Sequence, residues 1–217
     1  QILPLYFSEE VASEGEELEL IIFNLLRPNR QFDDVREYLV ESDADVILLL
    51  EVDHDWVREL DLERFDYEVV AAEPRTDTSG IVLYARPGLC DDAEIVTFGP
   101  EDEWLPPIIH CTLEWGDREA VFIGMHPSPP KTEHGAGIRN FQLEEAGEWV
   151  AKQDHPVILA GDLNTTPFSP AFRELMARGN LLNSQRGYGY QWSWPVEYPF
   201  LAIPIDHCLH GPLIATT

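Results

Sequence analysis

The chain has 217 residues, 44% hydrophobic and 11% aromatic, which is material for one large core and excludes a disordered chain. Fourteen Lys and Arg stand against 40 Asp and Glu, a net charge of −26, and a surface that negative argues against tight, sequence-independent binding of nucleic acid. It leaves chemistry on a phosphate ester open, because a bound divalent cation reverses the sign locally; a solubility or high-salt adaptation explains the same charge.

Residues 8–17, "SEEVASEGEE", read as an acidic loop. Short apolar runs follow at 18–24, 45–51, 67–72, 80–86, 93–98, 108–114, 120–126, 156–161 and 205–210. Their length and their Val, Ile, Phe and Tyr content predict strands, and several are apolar nearly throughout, as strands covered on both faces are. Helical spacing appears at Phe32, Val35 and Leu39, and again at Leu143, Ala146 and Val150. Ser169-Pro170 reads as a cap and first-turn proline leading into Phe172, Leu175 and Met176, with Gly179 as the stop. Cys90, Cys111 and Cys208 are widely spaced, without a CxxC pair. They make neither a zinc site nor a disulfide framework. The sum is a single α/β domain in which sheets pack together with helices outside.

The apolar runs end on a recurring kind of residue. Asn24 closes the first, Glu51 the second, His126 the seventh, and Asp162 with Asn164 the eighth, while Asp206 and His207 sit within the last. Each has an ordinary explanation. Asn24 can cap a turn, Glu51 can be the first exposed residue, His126 can bond to backbone, and "GDLN" can be an Asx-turn. Asp206, between Ile205 and His207-Cys208, is harder to dismiss, since a carboxylate in an apolar strand needs a partner. Together the polar ends suggest a set converging on one rim.

"NLLRPN" at 24–29, "LLLEV" at 48–52, "GMHPSPP" at 124–130, "GDLNTTP" at 161–167 and "IDHCL" at 205–209 resemble the successive motifs of the endonuclease/exonuclease/phosphatase superfamily. "SGIVLYAR", "HPSPP" and "GIRNFQL" further resemble a bacterial branch of it with an N-terminal membrane anchor. The resemblance implies a four-layer α-β-β-α sandwich, with two packed, mainly antiparallel sheets flanked by helices. Residues 1–17 become a juxtamembrane linker and 18–217 the family domain, a soluble, monomeric part of an inner-membrane-anchored protein. It also implies a Mg²⁺- or Mn²⁺-dependent phosphoesterase. Glu51 is then the principal metal ligand with Asn24 beside it, and His126 contacts the phosphoryl group or leaving oxygen. Asp162 orients or deprotonates the attacking water, Asn164 donates to a phosphate oxygen, and Asp206 orients a histidine from further along the chain. Hard oxygen ligands suit Mg²⁺. With no Lys/Arg cluster in the sequence, a small-molecule or lipid-linked phosphate ester is favoured over nucleic acid, and a nuclease is the alternative enzyme.

Two departures from the family pattern stand out. Leu50 occupies the place of a glutamine that usually precedes the metal-binding glutamate. The pattern also expects a later strand ending in Ser-Asp-His, and no such motif follows Asp206. "QDHPV" at 153–157 imitates it but precedes "GDLN", and His207, next to Asp206 on a strand, points to the opposite face. Two readings stay open: a last strand lies outside these 217 residues, or the chain is a catalytically impaired member acting as a binding module. On either, this stretch alone is weakly active at best. Arg139 reaches either a substrate phosphate or a surface carboxylate, and Trp192 and Trp194 either stack on a base or sugar or, as the favoured reading, pack over the core as loop aromatics.

Overall fold

The computed structural model describes residues 17–99, 104–195 and 198–216; apart from Glu17, the acidic segment expected at 1–17 lies outside them. In chain order the elements are β1 (Leu20–Asn24), α1 (Phe32–Ser42), β2 (Val46–Leu50), α2 (His54–Leu60), β3 (Glu68–Glu73), β4 (Ile81–Ala85) and β5 (Cys90–Val96). There follow β6 (Ile108–Trp115), β7 (Arg118–Met125), α3 (Glu133–Val150), β8 (Val157–Asp162), α4 (Pro170–Arg178), β9 (Leu182–Asn183) and β10 (Asp206–His210). They form a four-stranded sheet ordered β1-β2-β4-β3 and a six-stranded sheet ordered β5-β6-β7-β8-β10-β9. The β1–β2 and β7–β8 pairs are parallel and the others antiparallel.

The period-2 alternation of the strands sorts the core into three layers. Val46, Leu48 and Leu50 of β2 face inward with Ile81 and Leu83 of β4, against Ile109, Phe122, Ile158 and Ala160 of the second sheet. Ile47 and Leu49, on the other face of β2, pack with Val35, Leu39, Trp56 and Leu60 of α1 and α2. On the far side of the six-stranded sheet, Ile123, Leu159 and Leu209 meet Leu143, Ala146 and Val150 of α3 and Phe172 and Leu175 of α4. The result is the expected α-β-β-α sandwich. Each buried leucine contributes about 1.5–3 kcal/mol, so a strand apolar on both faces is fixed on both faces.

The cap expected at Ser169 forms, its hydroxyl accepting from Phe172 N at 3.1 Å, and Gly179 ends α4. Three expectations need correction. Helix α2 was not foreseen, although Asp53 caps it by accepting from Asp55 N and Trp56 N, both at 3.1 Å. Strand β5 begins at Cys90 rather than Ala93, because a bulge lets the polar stretch from Asp91 to Glu94 stay paired with β6. Trp192 and Trp194 do not cover the core: each is 57% exposed.

Gly161 sits where β8 runs beside the end of β7. A Cβ there would lie 1.9 Å from Met125 O, and the residue holds φ at +147°. Both facts demand glycine, since the clash is with backbone and cannot be relieved by a rotamer. Gly161→Ala should therefore lose well over 1–3 kcal/mol, the usual range for forced backbone strain alone. Chemical denaturation should show a lowered midpoint at unchanged m-value.

Candidate active site

The five polar strand ends meet because of strand direction. Strands β1 and β2 are parallel and finish together with Asn24 and Glu51; β7 and β8 are parallel and finish together with His126 and Asp162. Strand β10 runs antiparallel to β8, so its first residue, Asp206, pairs directly with the last, Asp162. One edge of the sandwich thus receives all of them.

The two sheets are tied at this edge by Asn24. Its Nδ2 donates to Glu51 Oε1 at 3.3 Å and to Asp162 Oδ2 at 3.2 Å, while its Oδ1 accepts from Leu26 N at 3.0 Å. Glu51 Oε2 accepts from Arg27 N at 2.9 Å. Asp162 Oδ1 accepts from Asn164 N at 2.9 Å, and His126 Nε2 lies 3.7 Å from Asp162 Oδ2. Asn24 and Asp162 therefore close Asx-type turns with one oxygen each and turn their remaining polar atoms toward each other and Glu51. The residue that closes the turn and the candidate functional group are the same.

Backbone strain gathers here. Glu51 adopts φ +59°, Asn164 +50° and Leu26 +56°, conformations that cost a non-glycine residue about 1–2 kcal/mol. At Glu51 the left-handed turn ends β2. Beside it Gly80 makes room, since a Cβ there would lie 1.9 Å from Val52 O.

The electrostatics are those of crowded, desolvated acids. Burial raises the Asp162 carboxyl to about 6, the hydrogen bonds from Asn164 and Asn24 oppose this, and Glu51 adds repulsion. Asp206 is likewise raised to about 6, by burial first and then by Asp162 across the strand pair, with Ser193 and His126 opposing. Like charges directly opposed on neighbouring strands destabilise a sheet. Burial lowers the His126 imidazole, against the pull of Glu51 and Asp206, so it is neutral near pH 7. The three acids are met by an amide, backbone N–H groups and this imidazole.

That donor set fits a hard divalent cation. Glu51 offers a fixed carboxylate; Asn24 would offer its oxygen only after its carboxamide turns end for end. Among the described residues no three His, Cys, Asp or Glu side chains form a ready-made cage. Leu50 packs into the core between the sheets, leaving Glu51 supported by Asn24 and Arg27 N.

The other expected residues fall as follows. Asn164 Nδ2 donates to Pro127 O at 3.0 Å, which straps the loop after His126 to the loop after Asp162. Arg139, for which a phosphate or a surface carboxylate was foreseen, instead donates from Nη1 to Asn164 O at 2.8 Å and from Nη2 to Asn140 Oδ1, also at 2.8 Å. His207 points away from the acids, as its strand position required: its Nε2 meets Thr165 O at 2.9 Å and its ring packs on Phe172. His155 of "QDHPV" lies on the surface, 3.3 Å from Glu119. Sequence reasoning missed Ser193, whose hydroxyl accepts from Ile205 N at 3.1 Å and Asp206 N at 3.2 Å; nothing local marks it.

An α-β-β-α sandwich with acids, amides and a histidine at one rim is an architecture of hydrolytic phosphoesterases. The sequence matches the Endonuclease/Exonuclease/phosphatase family over residues 21–217, and the chain belongs to that family. No curated protein matches it. Among solved structures it is similar to a humanized D. rerio TDP2, with 15% identity, TM-score 0.72, and 91% of this chain covering 85% of that one. Sphingomyelinase C from Streptomyces griseocarneus superposes with TM-score 0.67 at 17% identity, over 91% of this chain and 85% of that one. A variant of the 3′ phosphatase NExo from Neisseria, bound to a product DNA hairpin, gives 0.71 at 17% identity, over 90% and 87%. At such identities the likeness is one of fold. Among the described residues no helix is long and apolar enough to cross a membrane.

Two outcomes follow for stability. Asp206→Asn, in metal-free buffer, removes one of the crowded charges and should raise Tm by about 2–4 °C, read by differential scanning calorimetry. The second concerns His207, which burial lowers to about 4. Below its ordinary value of about 6.5 the unfolded chain takes up the proton first, so the stability held above that pH is lost as pH falls toward 4. The loss is roughly 3 kcal/mol. Asp162 and Asp206 act in the opposite sense, their buried charge being relieved as pH falls through about 6. Comparison with His207→Gln isolates the histidine: between pH 7 and 4 the variant should gain that amount relative to wild type in urea titrations.

Proposed function

We propose that the protein is a divalent-metal-dependent phosphoesterase that hydrolyses a phosphate ester by in-line attack of water. The observation that carries this reading is the Asn24 bridge between Glu51 and Asp162, which joins a candidate metal ligand on one sheet to a candidate water-orienting acid on the other. A Mg²⁺ or Mn²⁺ held by Glu51, with Asn24 beside it, supplies Lewis acidity toward the phosphoryl oxygens. Asp162, raised to about 6, is ionised yet basic enough near neutral pH to take a proton from water. Its Oδ1 is committed to Asn164 N, so Oδ2 does the orienting. His126, neutral through burial, serves as a hydrogen-bond donor toward the phosphoryl group or the leaving oxygen rather than as a fixed cation. Asn164 holds Pro127, and with it the His126 loop, in register with Asp162; turned outward, the same amide reaches a phosphate oxygen. Asp206 shares the negative field of Asp162 and orients an imidazole.

The net charge of −26 favours a small-molecule or lipid-linked phosphate ester over nucleic acid, since a nuclease gains its affinity from phosphate contacts to Lys and Arg. Hydrolysis of bis-p-nitrophenyl phosphate with Mg²⁺ or Mn²⁺, measured on the complete gene product, should depend on the metal. Glu51→Gln should lower it by about 10²–10³ or more. A complete gene product that binds the metal yet shows no turnover on any phosphate ester supports a binding module instead.

A further inference from the structure

The segment from Gly187 to Ile205 differs from the rest of the chain. It holds six aromatic residues and a single charged one, Glu197, in a protein with 54 Asp, Glu, Lys and Arg (14 basic and 40 acidic). Five of its large apolar and aromatic side chains face outward. Phe200 is 88% exposed, Leu201 68%, and Trp192, Trp194 and Tyr198 are more than half exposed.

This is a built flap. Trp194 and Ile203 pair in an antiparallel bridge, Trp194 N donating to Ile203 O at 3.1 Å and Ile203 N returning to Trp194 O at 2.6 Å. Ser193 fastens its base to Ile205 N and Asp206 N. On the other side a row of rings leads back to the Asp162 loop: Tyr190 stacks on Phe168 at 6.3 Å, and Trp192 follows Tyr190 at 6.5 Å. The exposed apolar surface thus continues into the rim of the cleft.

We propose that this flap is an interfacial docking surface which seats the mouth of the site against a neutral, zwitterionic lipid–water interface. Large aromatic side chains with a polar edge are the residues that settle at the headgroup level, and contiguous exposed apolar patches on soluble domains mark binding surfaces. Charge selects among occupants. A strand of nucleic acid could stack on the same rings, but the surrounding field repels it, as it repels an anionic bilayer. A second copy of this chain would bring another 26 negative charges. An uncharged interface meets the apolar flap without confronting the acids.

The test measures binding and not turnover, so it stands apart from the assignment of the reaction. Purified protein is sedimented with phosphatidylcholine vesicles, and its tryptophan emission is followed with brominated phosphatidylcholine as quencher. The native chain should partition onto the vesicles with quenched, blue-shifted emission that is insensitive to 0.5 M salt. A Trp192→Ala/Phe200→Ala/Leu201→Ala variant, altered only at exposed positions, should bind at least about tenfold more weakly with an unchanged circular dichroism spectrum. The proposal is overturned by a native chain that stays in the supernatant, by equal binding of the variant, or by binding confined to vesicles containing anionic lipid. Sedimentation-velocity evidence that the flap forms a dimer overturns it too, as does tight binding of a single-stranded oligonucleotide that the variant loses.

Discussion

The arrangement depends on one hydrogen-bonded side chain, the carboxamide of Asn24. It links the four-stranded sheet to Asp162 of the six-stranded sheet, at an edge where both sheets end in acids. Two sheets in face-to-face contact through aliphatic side chains can slide at little cost, because dispersion and hydrophobic burial are not directional. Directional bonds at the rim set the alignment. The same amide keeps Glu51 and Asp162 from facing each other unscreened.

The acids themselves are expensive. Asp162 and Asp206 stand directly opposite each other in the β8–β10 pair, both raised by burial and by repulsion from a neighbouring acid. A fold that needed only stability would place apolar or oppositely charged residues there. Together with the left-handed Glu51 and Asn164, they place strain at this edge, where rigid buried strands can hold it. The rest of the core obeys alternation closely enough to sustain that cost.

Much of the fold was legible because its signals are local. Apolar runs such as Val157–Ala160 favour strands covered on both faces, and the Ser169-Pro170 cap announces α4 within two residues. The rim residues were legible as strand ends, and His207 as a residue of the opposite face, because strand period alone decides that. What stayed hidden depends on neighbours distant in sequence. The partner of Arg139 is a carbonyl on another loop, Asn164 gives its amide to Pro127 rather than leaving it free, and Ser193 anchors Asp206 from a flap with no recognisable motif. Helix α2 and the early start of β5 were missed for a nearer reason. The helix has only 7 residues after its Asp53 cap, too few to show a period, and the charged "CDDAE" stretch pairs only by bulging.

The double duty of Asn24 and Asp162 bears on how such a scaffold can diverge. Each residue uses one oxygen to close the turn leaving its strand, so the chain cannot be lengthened at Leu26 or Leu163 without displacing the candidate site groups as well. Variation is therefore pushed outward, past these turns, into segments that touch the cleft at few points. The flap anchored through Ser193 is such a segment. A scaffold of this kind can hold its rim fixed and exchange its surroundings, as a shared socket accepts different fittings.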